Sequence, residues 1–160
     1  MADLSKYPKE LIKRIAEEID AGMICFLNAD TLEIGSVFGE GYDAFYDDDY
    51  KEFYQEVYDK VDSWENVIRF EPLLSWQSFK IMEDFIENCI PTRDALKSRL
   101  WNALSRKKPF QNFKIIVENS RYRQCWFDFK KSRLEQYVSE QLVSEQYVSE
   151  QPGNSEDTFM

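Results

Sequence analysis

The groups with chemical potential in this chain are carboxylates, lysines, tyrosines and three cysteines, because the 160 residues include no histidine. That absence excludes Ser–His–Asp and Cys–His nucleophilic machinery, HExxH metal sites and most transition-metal sites. Cys25, Cys89 and Cys125 are far apart with no CxxC spacing. They read as buried reduced thiols rather than a disulfide framework or a zinc site. The Asn28-x-Asp30-x-Leu32-Glu33 segment begins like a calcium loop, but it fails at the fifth position and lacks glycine at the sixth. Asp47, Asp48 and Asp49 are consecutive, so on a helix their carboxylates diverge by about 100° per residue and do not converge on a cation. The same holds for Glu83 and Asp84. No GxGxxG, P-loop or GxSxG pattern is present. The catalytic, cofactor and metal sets expected from the sequence are therefore empty.

Charge placement carries more information. From Glu40 to Glu65, ten acids face two lysines, a net of −8. From Arg93 to Arg133, twelve basic residues face three acids, a net of +9, in a chain whose total is −10. Within the basic half, Arg106, Lys107 and Lys108 fall between two predicted helices, with Lys114 on the next. On the last helix Arg123, Phe127, Lys130 and Lys131 take the side opposite Trp126. The −8 and +9 segments suit binding of an acidic protein partner, or of the acidic segment of another copy, by the basic helices. Basic residues beside an exposed aromatic are a nucleic-acid-like arrangement, so nucleic acid bound through Arg106, Lys107, Lys108, Lys114, Arg123, Lys130 and Lys131 is the alternative, and a carboxylate-based enzyme is the third reading. No apolar run approaches the ~20 residues of a bilayer span, and the first residues form no secretory h-region. A cytoplasmic protein with no membrane partner is the expectation.

These residues need elements to position them. Leu11, Ile12, Ile15 and Ile19 form an apolar stripe over 8–21, with Pro8 suited to N1 and Gly22 to C′. Strands are predicted at 23–27 and 32–38, joined by Asn28-Ala-Asp-Thr31 and ended by Gly39 and Gly41. An acidic amphipathic helix follows over 47–62, then a strand over 66–71. Four helices complete the pattern. Ser75 caps the first, Thr92 the second, Pro109 opens the third, and the fourth begins near Arg121. Phe85, Phe110, Phe113, Cys125, Trp126 and Phe129 are expected to face inward. The order predicts an α+β fold, a small antiparallel sheet (hairpin plus one strand) packed by a mainly helical C-terminal half.

Residues 135–149 are three copies of a pentad, Glu-Gln-(Tyr/Leu)-Val-Ser. Equivalent positions rotate by about 140° per copy, so only the first copy is expected to extend the helix, through Leu134 and Val138. One domain over 1–142 and a low-complexity, disordered tail over 143–160 follow from that reading.

The turn Leu27-Asn-Ala-Asp30-Thr31, then Ser75, Met82-Glu-Asp-Phe85-Ile86, Ala103-Leu104, Pro109-Phe110, Phe113-Lys114, Trp126, Phe129 and Arg133 occur in that order. Together they resemble the bacterial uncharacterised protein family 0158, over residues 10–142. The helical half is the specific part of the resemblance. The 47–62 helix is longer than the family's usual connection. The resemblance implies a shared fold and brings no activity or catalytic residues with it.

Overall fold

The computed structural model describes residues 4–38 and 48–149, with side chains through 145. Gly39, Glu40, Gly41, Asp43, Asp47 and residues 150–160 lie outside the described residues. Nine elements are described: α1 (Lys9–Asp20), β1 (Met23–Asn28), β2 (Ile34–Phe38), α2 (Asp48–Asp62), β3 (Val67–Phe70), α3 (Ser75–Cys89), α4 (Ala95–Ser105), α5 (Pro109–Glu118) and α6 (Arg123–Ser149). They form two compact units: residues 1–72 with 134–160, and Leu73–Arg133.

The first unit is built on a three-stranded antiparallel sheet of order β2-β1-β3. Central β1 is buried from Ile24 onward, and alternation sorts its side chains between two faces. Ile24 and Phe26 join Val37, Val57 and Val61 in one cluster, which seats α2 on the sheet. A side chain at Gly35 would place its Cβ 3.3 Å from Val57 Cγ1, so glycine there lets α2 approach closely. The tyrosines of α2 complete the seat. The Tyr50 hydroxyl accepts the Phe38 N–H at 2.9 Å, and the Tyr54 and Tyr58 rings lie 4.5 Å apart. α1 packs against β1 with Ile15, Ala16 and Ile19 buried. Pro8 is its N-cap rather than N1, in extended geometry. Gly22 follows the helix at φ +89°, a conformation that favours glycine.

The hairpin turn is held by Asn28, whose side-chain oxygen accepts the N–H groups of Asp30 and Thr31 at 2.9 and 3.2 Å. Asn66 Nδ2 donates to both Asp30 carboxylate oxygens. The residues that superficially suggested a calcium loop thus serve the turn. β2 begins at Ile34 rather than 32, because Leu32 takes a positive φ of 67° that a strand does not accommodate.

α6 is one continuous helix through Ser149, past 142. Leu134, Val138 and Leu142 are all buried, and Gln141 Nε2 donates to the Arg69 carbonyl at 2.6 Å. This corrects the expectation that the second pentad has no face to bury. Equivalent positions do rotate away, but Val138 in one copy and Leu142 in the next are four apart and align on one face.

The second unit is all helical. Phe85 and Phe113 are fully buried beside Trp126, with ring centroids 4.9 Å apart for Phe113–Trp126 and 5.2 Å for Phe85–Trp126. Met82, Ile86, Leu100 and Val117 fill the space around them, and half-buried Phe129 packs on Phe85. Two expected core positions are corrected. Phe110 is exposed at the first turn of α5, edge-on to Phe79. Cys125 is exposed, although it neighbours buried Trp126 on α6. Cys89 is half-buried and Cys25 buried.

The caps also differ from expectation. Leu74, not Ser75, is the N-cap of α3, and Gln77 Oε1 accepts its N–H at 2.8 Å. Asp94, not Thr92, caps α4, accepting the Leu96 N–H at 2.9 Å.

Candidate interaction surface

The cationic residues singled out by the sequence all belong to the second unit. α4 ends at Arg106, whose N–H donates to the Ala103 carbonyl. Lys108 then takes a left-handed conformation, φ 55° and ψ 54°, and Pro109 starts α5. Asn112 closes the connection by donating Nδ2 to the Lys107 carbonyl at 2.8 Å and its own N–H to the Lys108 carbonyl at 3.0 Å. The result is a short, hydrogen-bonded loop on which Arg106, Lys107 and Lys108 are all exposed.

Lys114 is exposed on α5 with Ile115 beside it, 55% accessible, and Phe110 one turn earlier, 41% accessible. On α6, Arg123 and Lys131 are exposed and Lys130 is half-buried. Phe127 is not the open aromatic that the sequence suggested. It is half-buried against the core, with the Arg123 guanidinium 5.2 Å from its ring centre. That placement uses the ring as a support for Arg123 rather than as a stacking platform.

The ion pairs described inside this unit include those of Lys80, Lys97, Arg121 and Arg133. Lys80 and Arg133 both meet Asp84, at 3.1 and 2.8 Å. Lys97 approaches Glu87 at 4.0 Å, and Arg121 meets Asp94 at 3.0 Å. Burial pulls the Asp84 carboxyl upward, but the hydrogen bonds from Arg133 and Lys80 outweigh it and leave the group below the usual carboxylate range. Asp94 is also held low, first by the Leu96 N–H and then by the Tyr122 hydroxyl, which donates at 2.9 Å.

Asp94 belongs to an open cleft of about 500 Å³ lined by residues that include Pro91, Arg93, Ser120, Arg121 and Tyr122. The sequence reading missed it, although an Asp directly before Ala95-Leu96 is a recognisable cap signal. Its carboxylate already caps the start of α4 and binds Arg121, so that helix start and that cation are occupied within the chain. Among the described residues, no group of three or more acids and cysteines gathers in metal-binding geometry. No helix among them is long and apolar enough to cross a membrane.

The apolar side chains exposed in this unit, Leu74, Trp76, Trp101, Phe110 and Ile115, were not expected as surface features. Ile115 was legible, since it falls about 200° from Phe113 on the helix. Trp76 was not, because a first-turn residue is buried or exposed according to what the rest of the fold places beside it.

A small antiparallel sheet with helices around it, followed by an all-helical unit, defines an α+β protein with a helical C-terminal half. The family model described as Uncharacterised protein family (UPF0158) matches residues 12–154, and the chain belongs to that family. No curated protein and no solved structure matches the chain.

Proposed function

We propose that this is a cytoplasmic, non-enzymatic interaction protein whose helical unit receives an acidic protein partner. One observation carries the reading: the fold separates charge by unit. Residues 73–133 hold thirteen basic residues against six acids, whereas the remainder holds seven against twenty-four. Arg106, Lys107, Lys108, Lys114, Arg123 and Lys131 are exposed and are not the cations used in the unit's internal ion pairs named above. Lys130 and the Arg123-covered Phe127 complete the candidate surface. Exposed Ile115 and Phe110 add the apolar area that a protein partner rewards more than a phosphate backbone does.

The test uses fluorescently labelled polyglutamate and, in parallel, single-stranded RNA and DNA at about 50 mM salt, where charge-driven binding is near its strongest. Polyglutamate binding that falls about tenfold or more in a Lys107→Glu, Lys108→Glu chain supports the reading. Tight retardation of RNA or DNA without polyglutamate binding would replace it with the nucleic-acid alternative. Binding of neither probe would remove both.

A further inference from the structure

The acidic counterpart of this surface is present in the chain itself. α2 seats Tyr54, Val57, Tyr58 and Val61 on the sheet and turns its other side outward. On that side Asp49, Phe53 and Glu56 follow one helical row, with Glu52 and Asp59 beside it, and all five are exposed. Phe53 is 47% accessible within that acidic row. α5 presents the inverse pattern. Phe110 is 41% accessible, Lys114 lies one turn on along the same side, and Arg106, Lys107 and Lys108 stand at the helix start. One surface is an aromatic among acids, and the other is an aromatic among cations.

We propose that the partner of the basic surface is α2 of a second copy of this chain. Phe53 of one copy packs on Phe110 of the other, and Glu52 and Glu56 face Lys107, Lys108 and Lys114. The inference rests on the acidic-partner reading above and names the occupant. A net charge of −10 repels two copies at long range, whereas the opposed helices attract at contact. Association is therefore short-ranged and sensitive to salt. The two surfaces differ, so each copy offers both halves of the contact. Reciprocal pairing closes a dimer, and one-way pairing builds a longer series.

Sedimentation velocity of the full chain tests this at about 50 mM and about 500 mM salt, since screening at the higher strength confines charge effects to a few ångströms. The expected result is a species of dimer mass or larger at low salt that dissociates at high salt. Two charge-reversed chains, Glu52→Lys with Glu56→Lys and Lys107→Glu with Lys108→Glu, each self-associate about tenfold or more weakly, and their equimolar mixture regains the association. All four positions are exposed, and unchanged far-ultraviolet circular dichroism confirms that each variant folds. Phe53→Ala weakens the contact without altering its salt dependence. A wild-type chain that stays monomeric at low salt overturns the inference, as does a mixture that fails to recover. If the monomeric chain still binds polyglutamate through Lys107 and Lys108, the acidic-partner reading stands and only the second-copy assignment falls.

Discussion

The two units solve the same burial problem in opposite ways. In the first, a three-stranded sheet supplies hydrogen-bonded rigidity, and helices α1 and α2 pack on it. In the second there is no strand, and a cluster of edge-on aromatic rings supplies the core. Their sequences diverge in charge as well, one strongly acidic and the other cationic. Among the described residues the buried positions are apolar apart from Asn28. Charges consumed in local ion pairs, as at Asp84 and Asp94, serve the fold of the helical unit.

The helical unit is most sensitive at its aromatic cluster. Phe85→Ala removes a fully buried ring that touches Phe113, Trp126 and Phe129. It is expected to cost about 3–5 kcal/mol, read by urea unfolding followed through tryptophan fluorescence. An effect below about 1 kcal/mol would mean that the ring cluster is not the core of the helical unit.

The corresponding cut in the first unit is Leu142→Ala, expected to cost about 2–5 kcal/mol because Leu142 is fully buried in the second pentad. Val143→Ala, one residue on and 36% accessible, should change stability far less. Equal, negligible effects would show that the helix contributes nothing beyond Val138.

Thiol labelling sharpens the contrast without mutation. Burial pushes the Cys25 thiol up to about 11, from an ordinary 9.0. At neutral pH it holds about a hundredfold less thiolate than an ordinary cysteine, and it is also shielded. Cys125 is exposed and should react first, Cys89 more slowly, and Cys25 only in denaturant. Mass spectrometry of timed samples checks the order, and early Cys25 modification would contradict the packing of β1.

The smallest expected effect concerns Asp84, which Arg133 and Lys80 stabilise in its charged form. Its folded-state value lies below the ordinary one, so its contribution is present above the ordinary carboxylate range. It is lost as pH falls through the depressed value. Asp84→Asn should cost about 1 kcal/mol at neutral pH, and the difference from wild type should shrink in acid. A difference independent of pH would assign the loss to packing rather than charge.

Local chemistry was legible where neighbours in sequence are neighbours in space. Gly22 at a helix end, Pro109 at a helix start and the Asn28 turn follow from backbone sterics and side-chain hydrogen bonding within a few residues. The inward stripe of Phe85, Phe113 and Trp126 follows from helical periodicity. Caps were harder, because several polar residues near each start compete. Asp94 prevailed over Thr92, and Gln77 serves the start of α3 instead of Ser75.

What the sequence determined by itself was the set of elements, their order, and the unequal division of charge along the chain, since all three depend on local composition and period. Only the tertiary structure decided that Leu142 is buried, that Phe53, Phe110 and Trp76 are exposed, and that Arg133 crosses 49 positions to reach Asp84. Such facts depend on which surfaces meet, and burial or pairing between distant residues leaves no signature in the local pattern of either partner.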